Sequence, residues 1–126
     1  MQRIFLALAL VLGGITVAAT ANAAGDMKAG ARAFSACAAC HSLESGRHMT
    51  GPSLVHLWGR KAGTAEGFAR YSPALKSADV VWNDATLDAW LADSKALVPG
   101  NSMTFPGIKD AKARADLIAF LESAGA

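Results

Sequence analysis

The sequence predicts an all-α fold of three to five helices joined by long loops. Three observations predict it. Apolar residues recur at helical spacing in a middle segment (Leu87, Trp90, Leu91) and in a final one (Leu117, Phe120, Leu121, Ala124). No run alternates apolar and polar residues as a half-buried strand requires. Residues 45–67 are rich in glycine and carry no periodicity, the pattern of a compact Ω-loop.

Each element has its own justification. The chain opens with Arg3, an apolar run from Ile4 to Ala19 and then Ala21-Asn22-Ala23, the three-part layout of a cleaved secretory signal over residues 1–23. The run is interrupted by Gly13, Gly14 and Thr16 and falls short of the ~20 apolar residues that span a bilayer. Residues 24–126 then form one small domain, exported to the periplasm. Its first helix is expected from Asp26, an N-cap residue, to Cys40, with Gly30 and Phe34 on one face. After the Ω-loop, a short helix is expected near 72–76. Another follows from about Asp84, capped by Asn83, with Leu87, Trp90 and Leu91 facing inward. The last runs from about Ala111 to Ser123 and crosses the first.

Charge narrows the function. The whole chain has 12 basic and 10 acidic residues, and loss of Arg3 leaves 11 against 10. A balance so near zero lacks the clustered positive surface that phosphate binding requires, which argues against nucleic acid as a partner.

The chemistry concentrates in "CAACH", Cys37 to His41, which holds both cysteines of the chain. Structural zinc needs four ligands, and His48 and His56 form no paired knuckle. A redox C-x-x-C of the thioredoxin type sits between a strand and a helix, and no strand precedes Cys37. C-x-x-C-H is also the attachment signature of c-type haem. On one helical turn, side chains at i and i+3 share a face, so Cys37 and Cys40 can both reach one porphyrin edge. His41 then presents a ring nitrogen to the iron. Covalent haem c is the expected cofactor.

A second axial ligand fixes the behaviour of the iron. Methionine closes the site and raises the potential, whereas an open position admits gas or peroxide. Met27 lies in the first helix. Met49 follows His41 by eight residues, too short a connection to cross to the far side of a flat ring. Met103 stands in "VPGNSMTFPG", where prolines and glycines define a loop, and a loop is what a ligand from the far side requires. His48 and His56 are rivals, but both lie close after the CAACH turn.

These residues resemble the small soluble class I cytochromes c of the mitochondrial and bacterial type. The resemblance runs from Gly25 to about Ala124 through blocks in the family's order. They are "GDMKAGARAF" before "CAACH", "TGPSL" and "LWGRKAG", "GFARYSPALKS" and "VVWNDATLDAWL", "PGNSMTF" and "RADLIAFLESAG". It implies the cytochrome c fold, helices and Ω-loops wrapped around one covalently bound haem. It implies that Pro52 offers its carbonyl to the other nitrogen of His41, and that Arg60, Tyr71 and Trp82 bind the haem propionates. Gly30 and Phe34 would meet Leu117 and Phe120 where the terminal helices cross. The chain departs from the family at "GFARYS", one residue longer than usual between Phe and Tyr. Trp90 takes the place of a common tyrosine and Ser94 that of a frequent proline. Ser102 and Ala36 stand at two places where some members carry lysine, while Lys61, Lys95 and Lys109 remain.

The function expected is one-electron transport between redox proteins in the periplasm, by a monomer without bond-making chemistry of its own. The partners would be a dehydrogenase, an oxidase or a bc1-type complex. Two alternatives stay open: a haem-based peroxidase or gas sensor with a labile sixth ligand, and a cytochrome subunit dedicated to one complex.

Overall fold

A computed structural model of the chain describes residues 25–126. The expected signal segment, 1–23, lies outside the described residues. Five helices follow in order: α1 (Met27–Phe34), α2 (Pro73–Ser77), α3 (Asp84–Ala92), α4 (Ser94–Leu97) and α5 (Ala111–Ala124). An isolated antiparallel bridge between Lys61 and Val81 is the only β pairing among the described residues.

Asp26 caps α1 as expected, its carboxylate accepting from the N–H groups of Lys28 at 2.9 Å and Ala29 at 3.1 Å. The helix stops at Phe34, six residues before the expected Cys40. The N–H groups of Ser35 and Ala36 bond back three residues, to Arg32 and Ala33, and the Ser35 hydroxyl also donates to the Arg32 carbonyl. This tightening ends the α-helical ladder. The CAACH segment is therefore a series of turns, with His41 N–H bonded to the Cys37 carbonyl at 2.9 Å.

α1 packs on α5. A Cβ on Gly30 would overlap the Asp116 carbonyl oxygen, so only glycine allows the two backbones to come this close. Phe34 and Phe120 pack beside that contact, their rings tilted by 44° with centroids 5.5 Å apart. Buried in the crossing is Asp116, which accepts the Asp26 N–H at 2.7 Å and pairs with Lys112 at 2.9 Å. These two partners, the Asp26 amide first, hold its carboxyl below the usual carboxylate range.

On α5, Leu117, Ile118 and Leu121 are buried and Phe120 is half-buried. Ala124, expected on the apolar stripe, is exposed. There the chain packs through Gly125, whose carbonyl accepts the His56 N–H at 2.6 Å, and this turns Ala124 outward.

α3 begins with a reciprocal capping box between Asn83 and Thr86 and buries Leu87, Trp90 and Leu91 as expected. α2 has Ser72 as its cap and Pro73 in its first turn. α4 is an element the periodicity did not signal. Asp93 caps it, accepting from the N–H groups of Lys95 and Ala96. Between α1 and α2, residues 42–72 are ordered by turn bonds. His48 holds this loop together: its Nδ1 accepts the Ser53 N–H at 3.1 Å, so its Nε2 donates to the Glu66 carbonyl at 2.8 Å.

Candidate functional site

The loop, the CAACH turns and α3 enclose a cavity of about 450 Å³. Cofactor sites commonly occupy ~300–1,000 Å³ of mostly apolar space with a few converging polar groups. Cys37, Cys40, His41 and Met103 all line it. Its floor is apolar, with Leu57, Leu87 and Leu91 beside Trp82 and Trp90, whose rings pack edge to face at 5.3 Å.

Cys37 is half-buried and Cys40 exposed, and both thiols are free. Burial, and then the neighbouring Cys40, pushes the Cys37 thiol above its ordinary value. The turns bring both sulfurs to one cavity even though the α-helix has ended.

His41 is seated more strictly. Its Nδ1 lies 2.7 Å from the Pro52 carbonyl. A carbonyl only accepts, so Nδ1 carries the proton and the Nε2 lone pair stays free. Burial lowers the imidazole's pKa, an effect the Pro52 bond opposes in part. The ring is held neutral, the state a metal requires. Gly51 completes the seat, because a Cβ there would overlap the imidazole itself. Sequence reasoning passed over Gly51; its signal was its place inside "TGP", directly before the orienting proline.

Met103 is half-buried in the strand-free segment between α4 and α5. The rivals are elsewhere. Met27 is 42% exposed, and Met49, His48 and His56 do not line the cavity. Among the described residues, His41 is the only histidine that lines it and Met103 the only methionine.

Pro52, Arg60, Tyr71 and Trp82 line the same cavity. Arg60 donates through Nη1 to the Val55 carbonyl at 3.2 Å and through Nη2 to the Ser53 carbonyl at 3.3 Å. The Tyr71 oxygen accepts the Ala65 N–H at 3.0 Å, which leaves its own proton to donate. The extra residue of "GFARYS" does not displace Tyr71, which packs edge-on to Phe68 with centroids 4.8 Å apart. Arg70, which the sequence did not single out, also lines the cavity, its guanidinium 5.7 Å from the Phe68 ring centre.

The donor set fits a haem. It has two thiols on one turn, one imidazole with a free lone pair, one thioether, and a cation with hydroxyl and indole donors in an otherwise apolar space.

Comparison with known proteins gives the same direction. The cytochrome c family model matches residues 27–125. A cytochrome c of Gibberella zeae is 47% identical over 102 residues, covering 79% of this chain and 95% of the relative. A cytochrome c2 of Rhodomicrobium vannielii is 41% identical over 115 residues, 90% of this chain and 91% of the relative. Among solved structures, cytochrome cH from Methylobacterium extorquens superposes with a TM-score of 0.72 at 46% identity, over 79% of this chain and 99% of that one.

Proposed function

The chain belongs to the cytochrome c family, and from that premise we propose a periplasmic one-electron carrier whose haem iron is clamped by His41 and Met103. The family carries one covalently attached haem c and exchanges electrons with redox partner proteins. When bound, that group supplies an iron that takes up and returns one electron.

The chain's residues supply the rest. The Cys37 and Cys40 thiols, both lining the cavity, would hold the haem through thioether links to its two vinyl groups. Pro52 keeps the Nδ1 proton of His41 and so directs Nε2 inward, the outer-shell arrangement usual for a ligating histidine. Met103 offers a soft, neutral thioether, which favours the reduced state and raises the potential. Arg60, Tyr71 and Trp82 provide charge-assisted donors to propionates that would be costly to bury unpaired. The leading segment 1–23 serves as the export signal. No helix among the described residues is long and apolar enough to cross a membrane.

One observation carries this reading: of the described histidines and methionines, only His41 and Met103 line the cavity that Cys37 and Cys40 also line. An optical redox titration of the exported holoprotein tests it. The expected result is a single one-electron wave at a positive potential, from a polypeptide that begins at Ala24. A colourless product with the mass of its amino acids alone overturns the proposal.

A further inference from the structure

The loop that carries Met103 is fastened by two side chains. Asn101 is only 4% exposed. Its Nδ2 donates to the carbonyls of Ser94 at 2.9 Å and Val98 at 3.0 Å, which ties it to α4. Its Oδ1 accepts the Met103 N–H at 3.0 Å and the Lys95 ammonium at 3.1 Å. That ammonium also reaches the Met103 carbonyl at 3.1 Å and the Asn101 carbonyl. An amide has two donor protons and two acceptor lone pairs, and an ammonium has three protons. All of them are engaged here. Both backbone polar groups of Met103, in the two peptide units that flank its Cα, are therefore held, the N–H by Asn101 and the C=O by Lys95.

Among the described residues no other side chain bonds the backbone between Pro99 and Gly107; Arg114 holds only the far end, at the Ile108 and Lys109 carbonyls. Pro99 offers no N–H, Gly100 turns with φ 88° and Gly107 with φ 89°, and Ser102 and Thr104 are exposed. The geometry points to Lys95 and Asn101 as a latch, a pair of positioning residues that keeps the Met103 loop closed over the cavity and so denies the sixth iron position to outside ligands. This rests on the reading of Met103 as the iron ligand. It deepens that reading, because the latch is what separates a closed electron carrier from a haem protein that binds small ligands. It also gives Lys95 an internal task, in place of the partner-facing role of an ordinary surface lysine.

The test compares ferric holoproteins of the parent, Lys95→Met, Lys95→Arg and Asn101→Ala, with imidazole as the probe. Lys95→Met keeps the stem and removes the donors. It should bind imidazole roughly tenfold tighter than the parent, equivalent to about 1.4 kcal/mol. On heating it should also lose the far-red absorbance band of a methionine–iron bond well before its helices melt. Lys95→Arg, which restores donors, should return close to the parent. Asn101→Ala should move in the direction of Lys95→Met and further; if it does not fold, Lys95→Met decides alone. Parent-like imidazole affinity in Lys95→Met overturns the latch, as does band loss that merely coincides with its helix melt. A parent that shows no far-red band overturns the Met103 reading and the latch with it, whereas a parent with the band and indifferent variants overturns the latch only.

Discussion

The His41 side and the Met103 side of the cavity are held by different means. His41 is seated by backbone: the Cys37 carbonyl, the Pro52 carbonyl and the bare Cα of Gly51. α1, anchored on α5, leads directly into that turn. Met103 sits on a loop between α4, a helix of four residues, and α5, and its backbone N–H and C=O are held by the side chains of Asn101 and Lys95. Backbone partners within packed turns move only with the fold. Side-chain partners can be released singly, and local opening is drawn from such regions. The difference teaches that His41 and Met103, as the proposed iron ligands, should not be equally durable, and that the methionine side should open first.

The largest test removes what both sides face. With Cys37→Ala and Cys40→Ala together, haem can no longer be attached, and the cavity stays without its main apolar filling. A chain of this size has a modest core, so we expect that variant to lack a cooperative helical melt by circular dichroism. A parent-like melt would show that the two sides stand without a cofactor.

Gly51→Ala attacks the His41 side alone. The added methyl overlaps the imidazole, and overpacking of a tight site costs typically about 1–3 kcal/mol. Chemical denaturation should report a loss of about 2 kcal/mol. The methionine–iron band should persist until global unfolding, in contrast with the latch variants.

Asp116→Asn loosens the anchor beneath the His41 turn. Folding lowers the Asp116 carboxyl below its ordinary value, near 3.9 when unfolded. A lowered value means stability that is fully present above about pH 4 and is lost as pH falls through the folded value. The variant should therefore be less stable than the parent at pH 7, and the gap should narrow as the pH is taken below about 4. Denaturation midpoints at pH 7 and pH 3 check this; a gap that stays constant would contradict it.

The smallest effect lies on the Met103 side. The Ser94 hydroxyl is buried in α4 without a hydrogen-bond partner, and an unsatisfied buried polar group costs roughly 1–3 kcal/mol. Ser94→Ala should stabilise the protein by up to about 1 kcal/mol, since it removes the unpaired oxygen and leaves only a void of one-atom size. A loss of stability would show that the oxygen has a partner after all.

The sequence was most legible where its signals were local. Asp26 and Asn83 cap the helices they precede, and the inward face of α3 follows from a spacing of three and four residues. The CAACH motif states its chemistry within five positions, and Met103 stands out because prolines and glycines surround it. What was hidden depends on chain meeting chain. Asp116 is a charged residue that composition places at the surface, yet its first partner is an amide 90 residues away. Gly51 matters only because an imidazole ten residues earlier folds back against it. Lys95 reads as one more surface lysine until the loop returns its carbonyls. The early end of α1 was equally silent, because Ser35 and the alanines after it are compatible with a helix and the tightening arises from their bond pattern.

The absorbance of the ferric holoprotein in the far red, parent beside Met103→Ala, tests the central claim most directly. A weak band present in the parent and gone in the variant, with the haem still covalently bound through CAACH in both, is the predicted result. A band that survives the substitution, or that the parent never shows, would mean that Met103 does not complete the coordination opposite His41.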